Sequence, residues 1–286
     1  MNSVRVVADG GCDLSPEVAA QYDVVVIPVF VNFGEETVPT DRLTSEEFWA
    51  RARLGAELPS TAAPPPGAFR EVFLNLVAAG DEVVCFTLPD RYSGTFNSAW
   101  VAAQEFDGRV RVVDPGSISL GIGLQVLYAA RAALAGESAE AIQQTAEKLR
   151  ERTSIIFVLD TLEWVRRGGR LSRIMPLIER AAQTLRVKPV LEMTNGEMRL
   201  LGVVRSTRAA LERIEEEVRS RLPVEAAATA YTHRREAGLE LLERVASVVS
   251  RQPDEIMWVE AGPVFAAHAG PNALGAVVIR SEGQSA

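Results

Sequence analysis

Two hydroxyls and a glycine stand together in Ser93-Gly94-Thr95, followed by Phe96-Asn97-Ser98-Ala99, where the apolar run 82–88 gives way to residues that are apolar at helical spacing. A helix starting there turns unpaired backbone N–H groups and the positive end of its dipole toward the loop, so the segment outlines an anion site. The same residues also suit a plain helix cap, with Ser93 or Thr95 as the acceptor. Asp9 and Asp13 flank Gly10-Gly11 at the end of another strand-like run. Two carboxylates at that spacing suggest a metal or a general base, but more often they cap a helix and fix a turn. Arg166, Arg167, Arg170 and Arg173 crowd one short basic segment, and His233 and His268 are the two histidines of the chain.

These residues need elements to hold them. The first half alternates strand-like and helix-like segments in the manner of a parallel α/β sheet. Strands are expected at 4–8, 24–29, 82–87 and 110–113, and helices at 15–21, 45–54, 66–79, 96–106 and 123–135, with Ser138 capping one more that runs to 152. Ligands of open parallel sheets gather beyond the carboxyl ends of the strands, where the loops 9–13, 114–123 and the Ser93 loop fall. The second half reads differently. Strand-like 187–193 and 198–204 flank Thr194-Asn195-Gly196-Glu197, a strong hairpin signal, and a charged amphipathic helix follows over 207–221. Strands are also expected at 155–159, 226–231, 255–260 and 276–279, with helices at 162–167 and 237–250. The expected organisation is therefore two domains. Residues 1–152 form an N-terminal parallel-sheet α/β domain, and residues 153–286 form a C-terminal α+β domain with a largely antiparallel sheet.

Composition narrows the function classes. With 47% hydrophobic and 24% charged residues in 286, the chain has the balance of a soluble globular protein. A net charge of -8 argues against a general nucleic-acid binder, which needs clustered Lys and Arg to neutralise phosphate. Two cysteines, Cys12 and Cys85, offer neither a disulfide framework nor a thiolate metal cluster, and fit a reducing cytoplasm. The N-terminus opens directly on Val4-Arg5-Val6-Val7-Ala8 without the parts of a signal peptide, and no apolar run approaches the roughly 20 residues of a spanning helix. Gly121 and Gly123 lack the third glycine of a dinucleotide fingerprint, and neither a P-loop nor a kinase signature is present. No cofactor and no metal is expected.

Several separated segments together resemble one family, the DegV proteins. They are Ala8-Asp9-Gly10-Gly11-Cys12-Asp13-Leu14, Ser60-Thr61, Ser93-Gly94-Thr95 with Ser98-Ala99, and Val113-Asp114 with Gly121 and Gly123. Further on come Arg167-Gly168-Gly169-Arg170, Lys188-Pro189 with Asn195-Gly196 and Arg205, and His268-Ala269-Gly270-Pro271-Asn272-Ala273-Leu274-Gly275. The chain departs from the family pattern at Gly10-Gly11 and at Ala62-Ala63, where polar side chains are usual.

The resemblance implies a carrier that buries a long-chain fatty acid between its domains. It also implies that the carboxylate is presented to a separate ATP-dependent fatty acid kinase subunit, for conversion to an acyl phosphate. It places Thr61, Ser93 and His268 at the carboxylate first, with Arg170 as a fourth donor. From the residues alone, His268 reads as a structural histidine in a small-residue loop between two strand patterns, Arg170 equally well as a solvated basic turn, and His233 as exposed. Phe30, Phe33, Phe69, Phe96, Ile118, Leu120 and Phe265 are candidate tail contacts. A serine hydrolase acting on acyl esters, with Ser93 as nucleophile and His268 as base, is the alternative. Against it stand the missing Gly-x-Ser-x-Gly elbow and the missing orienting carboxylate.

Overall fold

The computed structural model describes residues 3–54, 57–169, 171–172, 174–181 and 187–283. Its first sheet has four parallel strands in the order Val24–Ile27, Val4–Asp9, Glu82–Phe86, Val110–Val113. These runs are rich in valine and nearly continuous in apolar residues because both faces are covered. One face packs Val7, Val83 and Cys85 against Phe69 and Phe73 of helix Pro66–Ala78 and Ala99 and Ala102 of helix Thr95–Ala103. The opposite face packs Val6, Ala8, Val84 and Phe86 against Ile122 and Val126 of helix Leu120–Leu134 and Ile142 and Ala146 of helix Ala139–Arg152. Ser138 caps the last of these helices through Ala141 N–H, as its position suggested.

A second sheet holds six strands in the order Glu197–Val204, Lys188–Thr194, Thr153–Val158, Leu274–Arg280, Val224–Tyr231, Met257–Glu260. Its neighbours are antiparallel except the last pair, which is parallel. The turn Asn195-Gly196 has positive φ at both residues, 49° and 73°, as a tight primed hairpin requires. Helices Thr207–Arg219 and Arg235–Val249 cover one face of this sheet through Leu211, Ile214, Leu241 and Val245. Leu120 and Leu124 lie against the other face, beside Ile155, Phe157 and Val277. Helix Leu120–Leu134 is thus sandwiched between the two sheets, which is why it is apolar all round.

Two departures from the sequence reading concern the site directly. The strand expected over 24–29 ends at Ile27, and beyond Pro28 the chain builds a third, antiparallel sheet in the order Glu36–Pro39, Phe30–Phe33, Ser60–Ala62. Strands of three and four residues carry too little alternation to announce themselves. The loop expected around His268 is instead a helix, Pro263–Ala269. Pro263 is pre-set for a first helical turn, three of the six residues that follow it are alanine, and Gly270 at φ 73° ends the helix.

The two halves of the chain are tied across the hairpin turn. Gly196 N–H donates to Gly116 C=O at 2.8 Å, and Arg150 reaches both Asn195 Oδ1, at 2.8 Å, and Asp114 C=O, at 2.7 Å. Asp114 shapes its own loop by accepting from Gly116 N–H at 2.8 Å. Among the described residues, no helix is long and apolar enough to cross a membrane.

Candidate functional site

Thr61 sits in the short strand Ser60–Ala62, where pairing with Val31 fixes its position. Its Oγ1 shares a hydrogen bond of 2.9 Å with His268 Nε2, from the last turn of helix Pro263–Ala269. The third sheet, missed in the sequence, therefore places one of the expected head-group residues against another that lies 207 positions away.

Ser93 lies at the entry to helix Thr95–Ala103. Gly94 occupies the cap position and has no side chain to offer, so neither Ser93 nor Thr95 is the formal cap. Ser93 Oγ nevertheless accepts from Thr95 N–H at 3.2 Å and lies 2.7 Å from Thr95 Oγ1, which is fully buried. The hydroxyl thus serves the first turn of the helix and still borders open space.

That space has two compartments. An outer cleft of about 800 Å³ is lined by Asp90, Arg91, Gly94, Ser172 and Glu197 among others, with Arg91 and Glu197 forming an ion pair of 3.9 Å between the two halves of the chain. An inner, narrower and strongly apolar channel runs past Ile118, Leu159, Val165, Met193 and Ala269, with Phe157 and Phe265 packed edge to face at 5.9 Å. Thr61, Leu88, Tyr92, Ser93, Leu171 and Met198 line both compartments and form the threshold between them. His268 lines the inner channel at the same end. Thr61, Ser93 and His268 gather at one mouth of a largely apolar bore, and Ser119, which also lines it, donates its hydroxyl to Asp13, an arrangement that can hold an amphiphile by its head while shielding its tail.

Three of the four residues expected at the carboxylate, Thr61, Ser93 and His268, are brought together here. Arg170 lies outside the described residues; its neighbours Gly169, Leu171 and Ser172 line the outer cleft. Arg166 is exposed and pairs with Glu179 at 3.4 Å. Of the proposed tail contacts, Ile118 and Phe265 line the channel, whereas Phe69 and Leu120 are core residues and Phe33 packs on Phe48. Sequence reasoning missed Leu88, Tyr92, Leu171 and Met198 at the threshold. Only Tyr92 carried a signal, by standing next to Ser93. His233 is exposed as expected, with Arg53 Nη2 at 2.7 Å from its Nε2.

The two carboxylates near the N-terminus have separate duties. Asp9 is fully buried and accepts from Gly11 N–H at 2.8 Å and from Leu88 N–H at 2.6 Å, joining the loops that leave two adjacent strands. Burial pushes its carboxyl up to about 7, against the opposing pull of those two N–H groups. Asp13 does not cap the helix that follows it, since Ser15 does so through Val18 N–H. It accepts instead from Ser119 Oγ and, at 3.0 Å, from Gly262 N–H, and burial pushes its carboxyl up to about 6. The glycine at position 11 has a local reason. A Cβ there would fall 2.7 Å from Leu88 Cδ2, so the Leu88 side chain fills the space that a larger residue would need. Among the described residues, no three His, Cys, Asp or Glu are grouped to hold a metal ion.

The raised pKa of Asp9 gives a stability prediction with a definite sign. Between an unfolded value near 4 and a folded value of about 7, the native state holds a proton that the unfolded chain releases. The contribution of Asp9 therefore falls as pH rises through this window, by at most about 1.4 kcal/mol per pH unit. Urea titrations of the wild type and Asp9→Ala at pH 5 and pH 8 are expected to show a larger stability advantage for the wild type at pH 5. An advantage that grows toward pH 8 would contradict a buried, proton-holding Asp9.

A parallel α/β half and a largely antiparallel half, meeting around a polar-mouthed apolar channel, define a two-sheet α/β architecture with a cavity at the junction. A family model described as "Uncharacterised protein, DegV family" matches residues 3–281, and the chain belongs to the DegV family. A DegV domain-containing protein of Deinococcus radiodurans is 34% identical over 275 residues, covering 96% of this chain and 97% of the relative. Among solved structures, a fatty-acid-binding DegV family protein from Thermus thermophilus superposes with a TM-score of 0.87 at 29% identity, covering 98% of this chain and all of the other. A stearic-acid-binding protein from Eubacterium ventriosum gives 0.86 at 28% identity and covers 98% of both chains. The fatty-acid-binding DegV of Bacillus subtilis gives 0.84 at 27% identity, with 98% of this chain and all of the other covered.

Proposed function

We propose that this protein is a non-enzymatic carrier of a long-chain fatty acid. The tail lies in the inner channel, and the carboxylate sits at the threshold between Thr61, Ser93 and His268, with Arg170 as a fourth donor. The observation that carries this reading is the segregation of the lining: apolar side chains along the bore, hydroxyls and an imidazole at one mouth. It is supported by three structural relatives that bind fatty acids. Each buried methylene contributes about 0.8 kcal/mol, so a long tail outweighs the several kcal/mol lost when a ligand is immobilised. The carboxylate alone would oppose burial by several kcal/mol, and paired donors remove that opposition.

The outer cleft gives the head group a route to a second protein, and we propose that a separate ATP-dependent fatty acid kinase subunit phosphorylates the bound acid there. The ligand would lie between domains 1–152 and 153–286, a division supported by the change from one sheet to the other between Arg152 and Thr153. Buried, unpaired Cys12 and Cys85 agree with a reducing cytoplasm. The hydrolase alternative is less well supported. Ser93 Oγ is engaged with Thr95 and His268 Nε2 with Thr61, which suits groups that hold an acid rather than a nucleophile and its base.

Lipid extraction of the purified protein, followed by mass spectrometry, is expected to release one fatty acid per chain. A protein that carries none, and takes up none on addition of oleate or stearate, would remove the carrier reading. Hydroxylamine trapping tests the kinase step: acyl hydroxamate should form only when carrier, kinase subunit and ATP are all present.

A further inference from the structure

The geometry points to Asp13 as a positioning residue that sets the place of His268 by anchoring the start of helix Pro263–Ala269, 249 residues away in sequence. The inference rests on the reading of His268 as a head-group donor. Asp13 bridges three elements. Its backbone closes the 3-10 turn Gly10–Cys12 in a left-handed conformation at φ 53°, its Oδ2 accepts from Ser119 Oγ before helix Leu120–Leu134, and its Oδ1 accepts from Gly262 N–H. Gly262 immediately precedes the helix, and His268 follows six residues later, about 9 Å along its axis at 1.5 Å per residue.

Gly262 and Asp13 approach so closely that a Cβ at Gly262 would stand 2.8 Å from Asp13 Oδ1. The backbone there is extended, with φ -68° and ψ 173°, so any residue could adopt it. Space against the carboxylate, not conformation, selects glycine. Other contacts hold the helix laterally, since Ala266 and Ala267 pack among Val31, Trp49 and Trp164. Phe265, further along the same helix, packs edge to face on Phe157. The hydrogen bond from Gly262 N–H to a carboxylate held from the opposite side by Ser119 fixes the first turn of the helix relative to these contacts. Such a bond is directional and needs an acceptor at hydrogen-bond distance from Gly262 N–H.

Fatty-acid affinity of Asp13→Ala, Asp13→Asn and Gly262→Ala, each made in the wild type and in His268→Ala, tests the assignment, with oleate as the probe. Asp13→Ala and Gly262→Ala should each weaken binding about tenfold, the loss of roughly one good hydrogen bond at the head group. Asp13→Asn keeps an acceptor for Gly262 N–H and a partner for Ser119, and should bind within about twofold of wild type. In the His268→Ala background the losses for Asp13→Ala and Gly262→Ala should shrink to about twofold or less, the remainder coming from Phe265 and Ala269, which the same helix places along the channel. Should Asp13→Ala fail to fold, Gly262→Ala carries the same comparison. Losses that add fully to that of His268→Ala, or no loss in either variant while His268→Ala weakens binding, would overturn the positioning role. If His268→Ala itself leaves affinity unchanged, the head-group reading fails instead.

Discussion

Replacing Ser93 and His268 together with alanine is expected to weaken binding of a long-chain fatty acid by about 100-fold or more, with little change in the unfolding midpoint. Hydrogen bonds to a charged partner contribute about 1.5–3 kcal/mol each, and each 1.4 kcal/mol is a factor of ten, so two lost donors correspond to at least two decades. The lower end applies where a water enters and replaces part of the contact. Stability should be nearly conserved because both side chains border the cavity. The chief local loss is the Ser93 acceptor of Thr95 N–H, worth about 1 kcal/mol. Isothermal titration with oleate, alongside thermal melts without ligand, separates the two effects. An unchanged affinity in a folded double variant would take both residues out of the head-group site.

The tail side of the site carries the other large effect. Ile118 lines the inner channel and is only partly buried, so a larger side chain there can project into the bore without overpacking the core. Ile118→Trp is expected to exclude long chains. Denying about four methylenes their place costs about 3 kcal/mol at 0.8 kcal/mol each, a loss on the order of 100-fold for stearate. Shorter acids, whose tails end before the obstruction, should lose much less. A titration series over chain length reads this directly as a shift in preference toward shorter tails. A uniform loss at every length would instead indicate damage to the threshold, and equal affinity for all lengths would place the tail elsewhere.

Much of the frame was legible before any coordinates. Valine-rich runs with helices between them announced the parallel sheet, because strands buried on both faces have no polar alternation to obscure them. Asn195-Gly196 announced its hairpin, because few other pairs tolerate positive φ at both turn positions. The region around Thr61 was not legible. Its strand has three residues, and its neighbours Phe30–Phe33 and Glu36–Pro39 have four each, too short for a period to emerge. His268 was placed in a loop for a related reason: a seven-residue helix of small residues bounded by glycine and proline looks like a turn when its packing partners are unknown.

The sequence by itself determined the succession of a parallel and a largely antiparallel sheet, the hydroxyl pair at a helix entry and the chemical types of the residues that meet there. Their order along the chain also carried the family resemblance. The tertiary structure decided which of them touch. Thr61 and His268 are 207 residues apart and joined by a hydrogen bond, while Asp13 reaches across the molecule to Gly262. Such contacts depend on how whole sheets and helices pack, and packing is set by many small apolar contacts summed over the core rather than by any local signal in the chain. The apolar channel is likewise a property of assembly, since its walls come from side chains that, read one at a time, are indistinguishable from core.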